Sequence, residues 1–254
     1  MKNIFTDNFE KYADTEMYDF LNEGNKKDFD VLLEWIKPGD KLLELACGTG
    51  RLTIPFAEKG FAITGIDLHE GMLEKAKTKA EAKGLSIPFY QQDCTMLSLP
   101  EMNQFTFMTG NSFQHFLTNE AQDKLLQSIA KHLETEGLFI FDTRNPLLSE
   151  LAQPDIYDTS FTDHRGFDVK EHHIETYDDA TQILHCETKR KLYKDGVFIR
   201  NEKDNISLRY VFPLEMKRLL RSFGFTILQA YGNWNKTPLT KESPQMIYIC
   251  RKNG

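Results

Sequence analysis

The segment KLLELACGTGRLTIPFA, residues 41–57, constrains the fold of this chain more than any other. A short apolar run leads into Gly48 and Gly50, and a helical pattern follows directly. Glycine adopts backbone angles that other residues avoid, and it leaves room for a ligand beside the main chain. A helix that begins at Arg51 would also offer free N–H groups to a carboxylate or phosphate. A tight strand-to-helix turn without a ligand is the alternative interpretation of this loop.

Strand and helix patterns alternate over most of the chain, which predicts a parallel sheet with helices on both faces. The pattern changes over residues 155–210, where long strand-like runs are separated by the turn signals Asp178-Asp179 and Asp195-Gly196. We expect a doubly wound α/β domain of residues 1–254 with an antiparallel β insertion at 155–210. The predicted strands outside the insertion are KLLELA, FAITGID, IPFYQQD, QFTFMTG, GLFIFD, FTILQAY and QMIYICRK.

The composition disfavours several classes of protein. Of 254 residues, 40% are hydrophobic and 27% are charged, which is typical of a chain that buries a core. A net charge of -7 disfavours a broad nucleic-acid or anionic-membrane surface. No apolar run approaches the roughly 20 residues of a membrane helix, and the first residues lack the apolar region of a signal peptide. The four cysteines form no CxxC pair. We therefore expect a cytoplasmic protein with free thiols and without a nucleic-acid or membrane partner.

Three acids lie at or near the ends of predicted strands, where open α/β sheets bind ligands. Asp67 can accept both hydroxyl hydrogens of a ribose, and Asp93 can accept the exocyclic amine of an adenine. The Cys94 amide can meet a ring nitrogen of the same base. Glu44 suits an ammonium and repels a diphosphate. Each acid alone is equally explained as a helix cap or a surface charge, but together they predict a nucleoside with an amino-acid tail.

Two cofactors compete for this loop. A nicotinamide dinucleotide favours a third glycine, and this chain has Thr53 at that position. S-adenosylmethionine has a carboxylate and an ammonium but no phosphate, so it suits the loop and Glu44 better. The residues therefore favour S-adenosylmethionine.

Five segments resemble the successive motifs of class I S-adenosylmethionine-dependent methyltransferases: LLELACGTGRL, GIDLHEGML, QQDCTML, FTFMTGNSFQHF and GLFIFDTRNP. The resemblance extends from about residue 12 to the C terminus. Residues 12–24 resemble the N-terminal lid of small-molecule methyltransferases. The insertion and YVFPLEMKRLLRSFGF resemble the group with bacterial sugar N,N-dimethyltransferases and glycine N-methyltransferase. The resemblance implies a mostly parallel, seven-stranded, Rossmann-like methyltransferase sheet with the antiparallel insertion after strand 5.

The resemblance also implies a role for each matching position. Glu44 senses the methionine amine, and Leu68 and Met72 pack against the adenine. Gly110 and Asn111 lie beside the methionine part. The full set of implied cofactor-binding residues is Tyr18, Glu44, Ala46, Cys47, Gly48, Gly50, Asp67, Leu68, Met72, Asp93, Cys94, Gly110 and Asn111.

The chain departs from the family pattern at two positions. Ala46 stands where the family usually has glycine, and His69 stands where it often has serine. We regard the alanine as a mild change and expect His69 to cap the following helix. Ala46, Gly48 and Gly50 still form the backbone cradle that the resemblance implies.

Methyl transfer from a sulfonium depends on alignment and requires neither a metal nor a covalent intermediate. We therefore expect no metal, S-adenosylhomocysteine as product, and a small-molecule acceptor methylated at nitrogen or oxygen. His115 is the candidate general base, and a role as a polar pocket wall is slightly favoured. Tyr18 either closes over the donor or packs the lid helix. We expect a monomer or homodimer.

Three alternatives stay open from the sequence. The first is a methyltransferase for RNA or protein, although the basic segment ETKRKLYK, residues 187–194, is flanked by acids and is interpreted as a solvated strand face. The second is a regulatory protein that binds S-adenosylmethionine without catalysis. The third is a nicotinamide oxidoreductase.

Overall fold

The computed structural model describes residues 8, 11–22, 24 and 27–254, and it divides the chain into two compact units. The insertion unit comprises Met1–Gly24 and Pro146–Tyr210, and the sheet unit comprises Asn25–Asn145 and Val211–Gly254. Among the described residues the strands are β1 Lys41–Leu45, β2 Ala62–Asp67, β3 Phe89–Gln91, β4 Asn103–Met108, β5 Leu133–Arg144, β6 Asp155–Thr162, β7 Asp168–Asp178, β8 Ile183–Lys194, β9 Val197–Arg209, β10 Phe225–Tyr231 and β11 Gln245–Lys252.

The helices of the described residues follow the same chain order. They are α1 Thr15–Asn22, α2 Lys27–Leu33, α3 Thr53–Glu58, α4 Glu70–Glu81, α5 Asn119–His132, α6 Leu148–Leu151 and α7 Pro213–Ser222. Two short 3₁₀ helices, Cys94–Met96 and Ser112–His115, lie in loops after β3 and β4. No helix of the described residues is long and apolar enough to cross a membrane.

The sheet unit contains seven strands in the order β10-β11-β5-β4-β1-β2-β3. Pairing is parallel from β3 through β2, β1 and β4 to β5, and β11 pairs antiparallel with both β5 and β10. This arrangement confirms the predicted seven-stranded, mostly parallel, Rossmann-like sheet. Because β1 to β5 are parallel, their carboxyl ends meet at one edge of the sheet, where ligands bind in open α/β folds.

Both faces of this sheet are covered by apolar side chains. On β5, Phe139 and Phe141 belong to one buried cluster, whereas Ile140 belongs to another. Successive residues of a strand point to opposite faces, so the two clusters lie on the two sides of the sheet. This explains why the central strands read as continuous apolar runs instead of alternating ones.

The insertion unit contains a four-stranded antiparallel sheet in the order β6-β7-β8-β9. The predicted antiparallel insertion is therefore present, with β7, β8 and β9 at the long strand-like runs. The sequence analysis did not predict β6 as a strand. Its side chains are almost all exposed and it lies at the sheet edge, so no apolar alternation marks it. The prediction of a single domain over 1–254 stays a prediction.

Gly65 on β2 lies where neighbouring elements approach closely. A Cβ atom at this position would lie 2.7 Å from Cδ1 of Phe89 and 2.9 Å from Sγ of Cys47. Phe89 begins β3, and Cys47 lies in the loop after β1. The absence of a side chain at residue 65 therefore allows β3 and the glycine loop to pack against β2.

We expect Gly65→Ala to lower the free energy of unfolding by about 1–3 kcal/mol, because the added methyl overpacks this contact. Urea denaturation monitored by circular dichroism measures the change. The control is the double variant Gly65→Ala/Phe89→Leu, which removes ring atoms from the clash. Its cost should be smaller than the sum of the two single costs. Additive costs would show that the clash with Phe89 is not the cause.

Candidate functional site

The loop after β1 turns sharply through three residues with left-handed backbone conformations. Ala46, Gly48 and Gly50 have φ values of +52°, +54° and +79°. The Cys47 N–H donates to the Ile66 carbonyl at 2.9 Å, which joins the loop to β2. Ala46 is a residue with a side chain in a region that favours glycine, and such strain clusters at functional sites.

Asp67, at the end of β2, fixes this loop through its side chain. Its carboxylate accepts the Gly48 N–H through Oδ2 and the His69 N–H through Oδ1, each at 2.8 Å. Burial raises the pKa of Asp67, and these hydrogen bonds oppose the shift. A carboxylate offers about four lone-pair positions, so this group can accept two further hydrogen bonds. Bracing of the loop by Asp67 was not predicted from the sequence.

The end of β3 comes close to the same loop. Burial raises the pKa of Cys94 to about 12, although a hydrogen bond from the Ala46 backbone N–H to the sulfur opposes this shift. The side chain of Asp93 accepts the Thr95 N–H at 2.8 Å and caps the 3₁₀ helix. Asp93 therefore acts as a helix cap, which was one of the roles that the sequence left open.

The start of α4 provides apolar and capping groups next to Asp67. Leu68 is 54% exposed, whereas Met72 is 3% exposed and packs in the core. Of these two residues, Leu68 has the free surface for a ligand. His69 accepts the Met72 N–H through Nδ1 at 3.3 Å, which confirms the predicted capping role.

The position and contacts of Arg51 differ from the prediction. The expected helix start at Arg51 is wrong, because α3 begins at Thr53 and has only six residues. The Arg51 guanidinium instead makes a two-point ion pair with Asp28, in which Nη1 lies 3.1 Å from Oδ1. Glu44 is buried and accepts the hydroxyl hydrogen of Thr53. Charged side chains therefore contribute to the electrostatics of this loop.

The loop after β4 is held by a third buried acid. Gly110 and Asn111 have φ values of +72° and +59°, and a Cβ at Gly110 would meet no atom within 4 Å. The Asn111 N–H donates to Oδ1 of Asp142 at 2.8 Å, and the Trp234 Nε1–H donates to Oδ2 at 3.0 Å. Asp142 lies on β5 and is 1% exposed.

Buried carboxyl groups outnumber basic groups in this network. Burial raises the pKa of Glu44 to about 8 and the pKa of Asp142 to about 6. Arg51 lowers both values and Asp28 raises both, so the four groups share one electrostatic environment. A single guanidinium cannot neutralise three carboxylates. The network therefore favours a bound proton or a cationic ligand over a diphosphate.

His115 and Tyr18 lie in different units of the chain. His115 ends the 3₁₀ helix after β4 in the sheet unit, and burial lowers its pKa to about 4. Tyr18 lies on α1 in the insertion unit, where its ring meets the ring of Tyr12 edge-on at 5.9 Å. The roles of Tyr18 and His115 stay predictions.

The sequence analysis missed Asp28, Arg51, Asp142 and Trp234 as members of this network. Asp142 carried a usable signal, because it follows the apolar run of β5 as Asp67 follows that of β2. The position of Trp234 in a loop after β10 carried none, since its contact with Asp142 spans 92 residues.

The pH dependence of stability tests the buried state of Glu44. The unfolded chain loses this proton near the ordinary pKa of 4.5, whereas the folded chain keeps it to about pH 8. Folding stability from this group is therefore complete below about pH 4.5 and is lost as the pH rises toward 8. We expect Glu44→Gln to gain stability relative to the parent over this range, by up to about 1.4 kcal/mol per pH unit. Urea unfolding at pH 5, 7 and 9 measures the difference, and a difference independent of pH would contradict the assignment.

Part of the sheet unit is similar to a known protein family. The family model described as a methyltransferase domain matches residues 42–137, which contain the loops after β1, β2, β3 and β4. A solved S-adenosylmethionine-dependent methyltransferase from Clostridium acetobutylicum superposes with a TM-score of 0.79 at 21% identity, over 97% of this chain and 99% of that chain.

Two curated relatives match most of the sequence. A glycine/sarcosine N-methyltransferase of Aphanothece halophytica is 25% identical over 84% of this chain and 76% of its own length. A carboxy-S-adenosyl-L-methionine synthase of Nautilia profundicola is 27% identical over 85% of this chain and 82% of its own length. The name of the first relative specifies N-methyl transfer, and the name of the second specifies synthesis of carboxy-S-adenosyl-L-methionine. Residues 42–137 therefore match a methyltransferase domain, and the chain is similar in sequence to a named methyltransferase and in fold to an S-adenosylmethionine-dependent methyltransferase.

Proposed function

We propose that this protein transfers a methyl group from S-adenosylmethionine to a small-molecule acceptor, at nitrogen or oxygen. The observation that carries the proposal is the spatial order of groups along the carboxyl edge. The adjacent strands β3, β2, β1 and β4 end in the Asp93–Cys94 segment, Asp67, the glycine loop and the Gly110–Asn111 turn. Adenine, ribose and the methionine part follow one another in the same order in the cofactor, so the methionine part with its amino-acid tail would lie between the glycine loop and the Gly110–Asn111 turn.

The chemistry of each group supports this alignment. Asp67 keeps two acceptor positions for the ribose hydroxyls, and the exposed Leu68 offers an apolar surface to the adenine. The main chain of the glycine loop lies at the carboxyl edge of the sheet, at residues Ala46, Cys47, Gly48 and Gly50. Gly110 borders open space. The excess of buried acid suits the net positive charge of the sulfonium compound. These residues fit S-adenosylmethionine better than a dinucleotide.

The proposed reaction places few chemical demands on the protein. S-adenosylmethionine, when bound, supplies a methyl group on a good leaving group. The chain's part is to hold the donor and acceptor in line and to exclude competing nucleophiles. With a pKa of about 4, His115 is neutral near pH 7 and is a weak base. This supports a role for His115 in shaping the acceptor pocket.

A small molecule is a better proposed acceptor than RNA. In the basic segment of β8, Lys189 pairs with Glu187 at 2.9 Å, and Arg190 pairs with both Glu171 and Asp204. Paired basic groups give little net attraction to phosphates. The N-methyltransferase relative, whose name specifies glycine and sarcosine, adds support for small amines as a first class to screen.

We expect Asp67→Ala to weaken S-adenosylhomocysteine binding by about a hundredfold or more, measured by titration calorimetry. Two charge-assisted hydrogen bonds to the ribose are lost, each worth about 1.5–3 kcal/mol. Asp93→Ala is the matched variant and should cost about tenfold, because one hydrogen bond is lost. Circular dichroism checks that both variants are folded, since Asp67 also braces the glycine loop.

Equal affinities of Asp67→Ala and the parent would contradict the ribose assignment. Absence of heat with both S-adenosylmethionine and S-adenosylhomocysteine, on folded parent protein, would overturn the proposed function. Binding of both ligands without product from any amine, sugar or acid in the screen would favour a regulator that binds the cofactor. The screen reads the release of S-adenosylhomocysteine.

With an acceptor in hand, we expect His115→Gln to raise the Michaelis constant of the acceptor and to leave kcat nearly unchanged. The reason is that a neutral, half-buried imidazole shapes the pocket, whereas alignment alone permits displacement at the sulfonium. Steady-state kinetics at saturating S-adenosylmethionine measure both constants. A fall of kcat by about 10²–10⁴-fold with normal cofactor binding would instead identify His115 as the general base.

A further inference from the structure

The turn after β4 adopts a conformation that its sequence does not favour. Asn111 has a φ of +59° and follows Gly110 at +72°, so two consecutive residues are left-handed. Asparagine tolerates this region better than most residues, but the conformation still costs free energy. Some surrounding contact must therefore hold the turn in place.

The buried carboxylate of Asp142 makes that contact. Oδ1 accepts the Asn111 N–H at 2.8 Å, and Oδ2 accepts the Trp234 Nε1–H at 3.0 Å. A third contact joins Nε2 of Gln245 to the Asn111 side-chain oxygen at 3.4 Å. Strands β5 and β11 and the loop after β10 thus converge on one turn of the main chain.

The loop that carries Trp234 is stabilised by contacts within the loop. The Gly232 N–H donates to the Thr237 carbonyl at 2.8 Å, and Ser243 packs so closely on Gly232 that a Cβ there would clash. Trp234 is 8% exposed and packs in the core. The indole N–H is therefore a fixed donor, and it orients the Asp142 carboxylate toward Asn111.

We propose that Asp142 is a positioning residue that holds the Gly110–Asn111 turn in the shape that receives the amino-acid tail of the cofactor. The proposal rests on the proposed function, which aligns this turn with the tail. A carboxylate is required because both of its neighbours donate hydrogen bonds, and a carboxylate accepts at both oxygens. An asparagine at 142 has one acceptor, so one of the two donors would face an amide NH₂ group.

Two ligands separate positioning of the tail from a general structural role. S-adenosylhomocysteine carries the amino-acid tail, and 5′-methylthioadenosine has the nucleoside and the sulfur without it. We expect Asp142→Asn to weaken S-adenosylhomocysteine by about tenfold or more, the scale of one unpaired buried donor. Binding of 5′-methylthioadenosine should change by less than about twofold. Titration calorimetry on the full chain measures both affinities.

A double variant tests whether the mismatch of donors is the cause. Trp234→Phe keeps an aromatic ring in the core and removes the N–H donor. In Asp142→Asn/Trp234→Phe the amide can turn its oxygen to the Asn111 N–H without facing a second donor. We expect the double variant to bind S-adenosylhomocysteine more tightly than Asp142→Asn. If Asp142→Asn does not fold, the double variant can still be measured, because it lacks the mismatch between the amide NH₂ group and the indole N–H.

Equal weakening of both ligands in Asp142→Asn would overturn the positioning role and indicate a general structural one. Unchanged affinity for S-adenosylhomocysteine, or no recovery in the double variant, would also overturn it. Failure of the parent protein to bind either ligand would instead refute the proposed function.

Discussion

Parallel pairing of β1 with β2 on one side and with β4 on the other decides where every loop of the site lies. Because these strands run in the same direction, their following loops share one edge, and their order along that edge is the order of the strands. The side chains at this edge are then close enough to brace one another. Asp67 holds the glycine loop of β1, and Asp142 on β5 holds the turn after β4.

The second constraint is the burial of acids at this edge. The carboxyl groups of Asp28, Glu44 and Asp142 share one electrostatic environment with the Arg51 guanidinium. Burial raises the pKa of two of them, Glu44 and Asp142. An apolar core usually excludes such groups, because unpaired charge is costly to bury. Here the cost is limited by hydrogen bonds from Thr53, Asn111 and Trp234. In our proposal the remaining imbalance is offset by the positive charge of the cofactor.

Most of the fold could be predicted from the sequence, and the reasons are local. Alternating strand and helix patterns predicted the parallel sheet, and the turn signals within 155–210 predicted the antiparallel insertion. Strand β6 was not predicted, because an exposed edge strand lacks apolar alternation. The start of α3 was placed two residues early, because Pro55 has no N–H to donate to the Arg51 carbonyl, so the regular helix begins at Thr53 although the Ile54 N–H already bonds to the Gly50 carbonyl.

The site was only partly predictable, for a physical reason. Asp67 and Asp93 are marked by their places at strand ends, and that rule depends on local sequence. The contacts of Asp28 with Arg51 and of Trp234 with Asp142 join residues that are 23 and 92 positions apart. No pattern of apolar residues encodes which distant polar groups will meet, so these partners became visible only in the folded chain.

The most direct test of the account is a crystal structure of the protein with S-adenosylhomocysteine bound. We expect both ribose hydroxyl oxygens within about 3.2 Å of the Asp67 carboxylate, with the amino-acid tail against the Gly110–Asn111 turn. We also expect that Asp67 keeps its hydrogen bonds to the Gly48 and His69 amides. A nucleoside bound away from the ends of β1, β2 and β4, or a ribose that does not contact Asp67, would contradict the account.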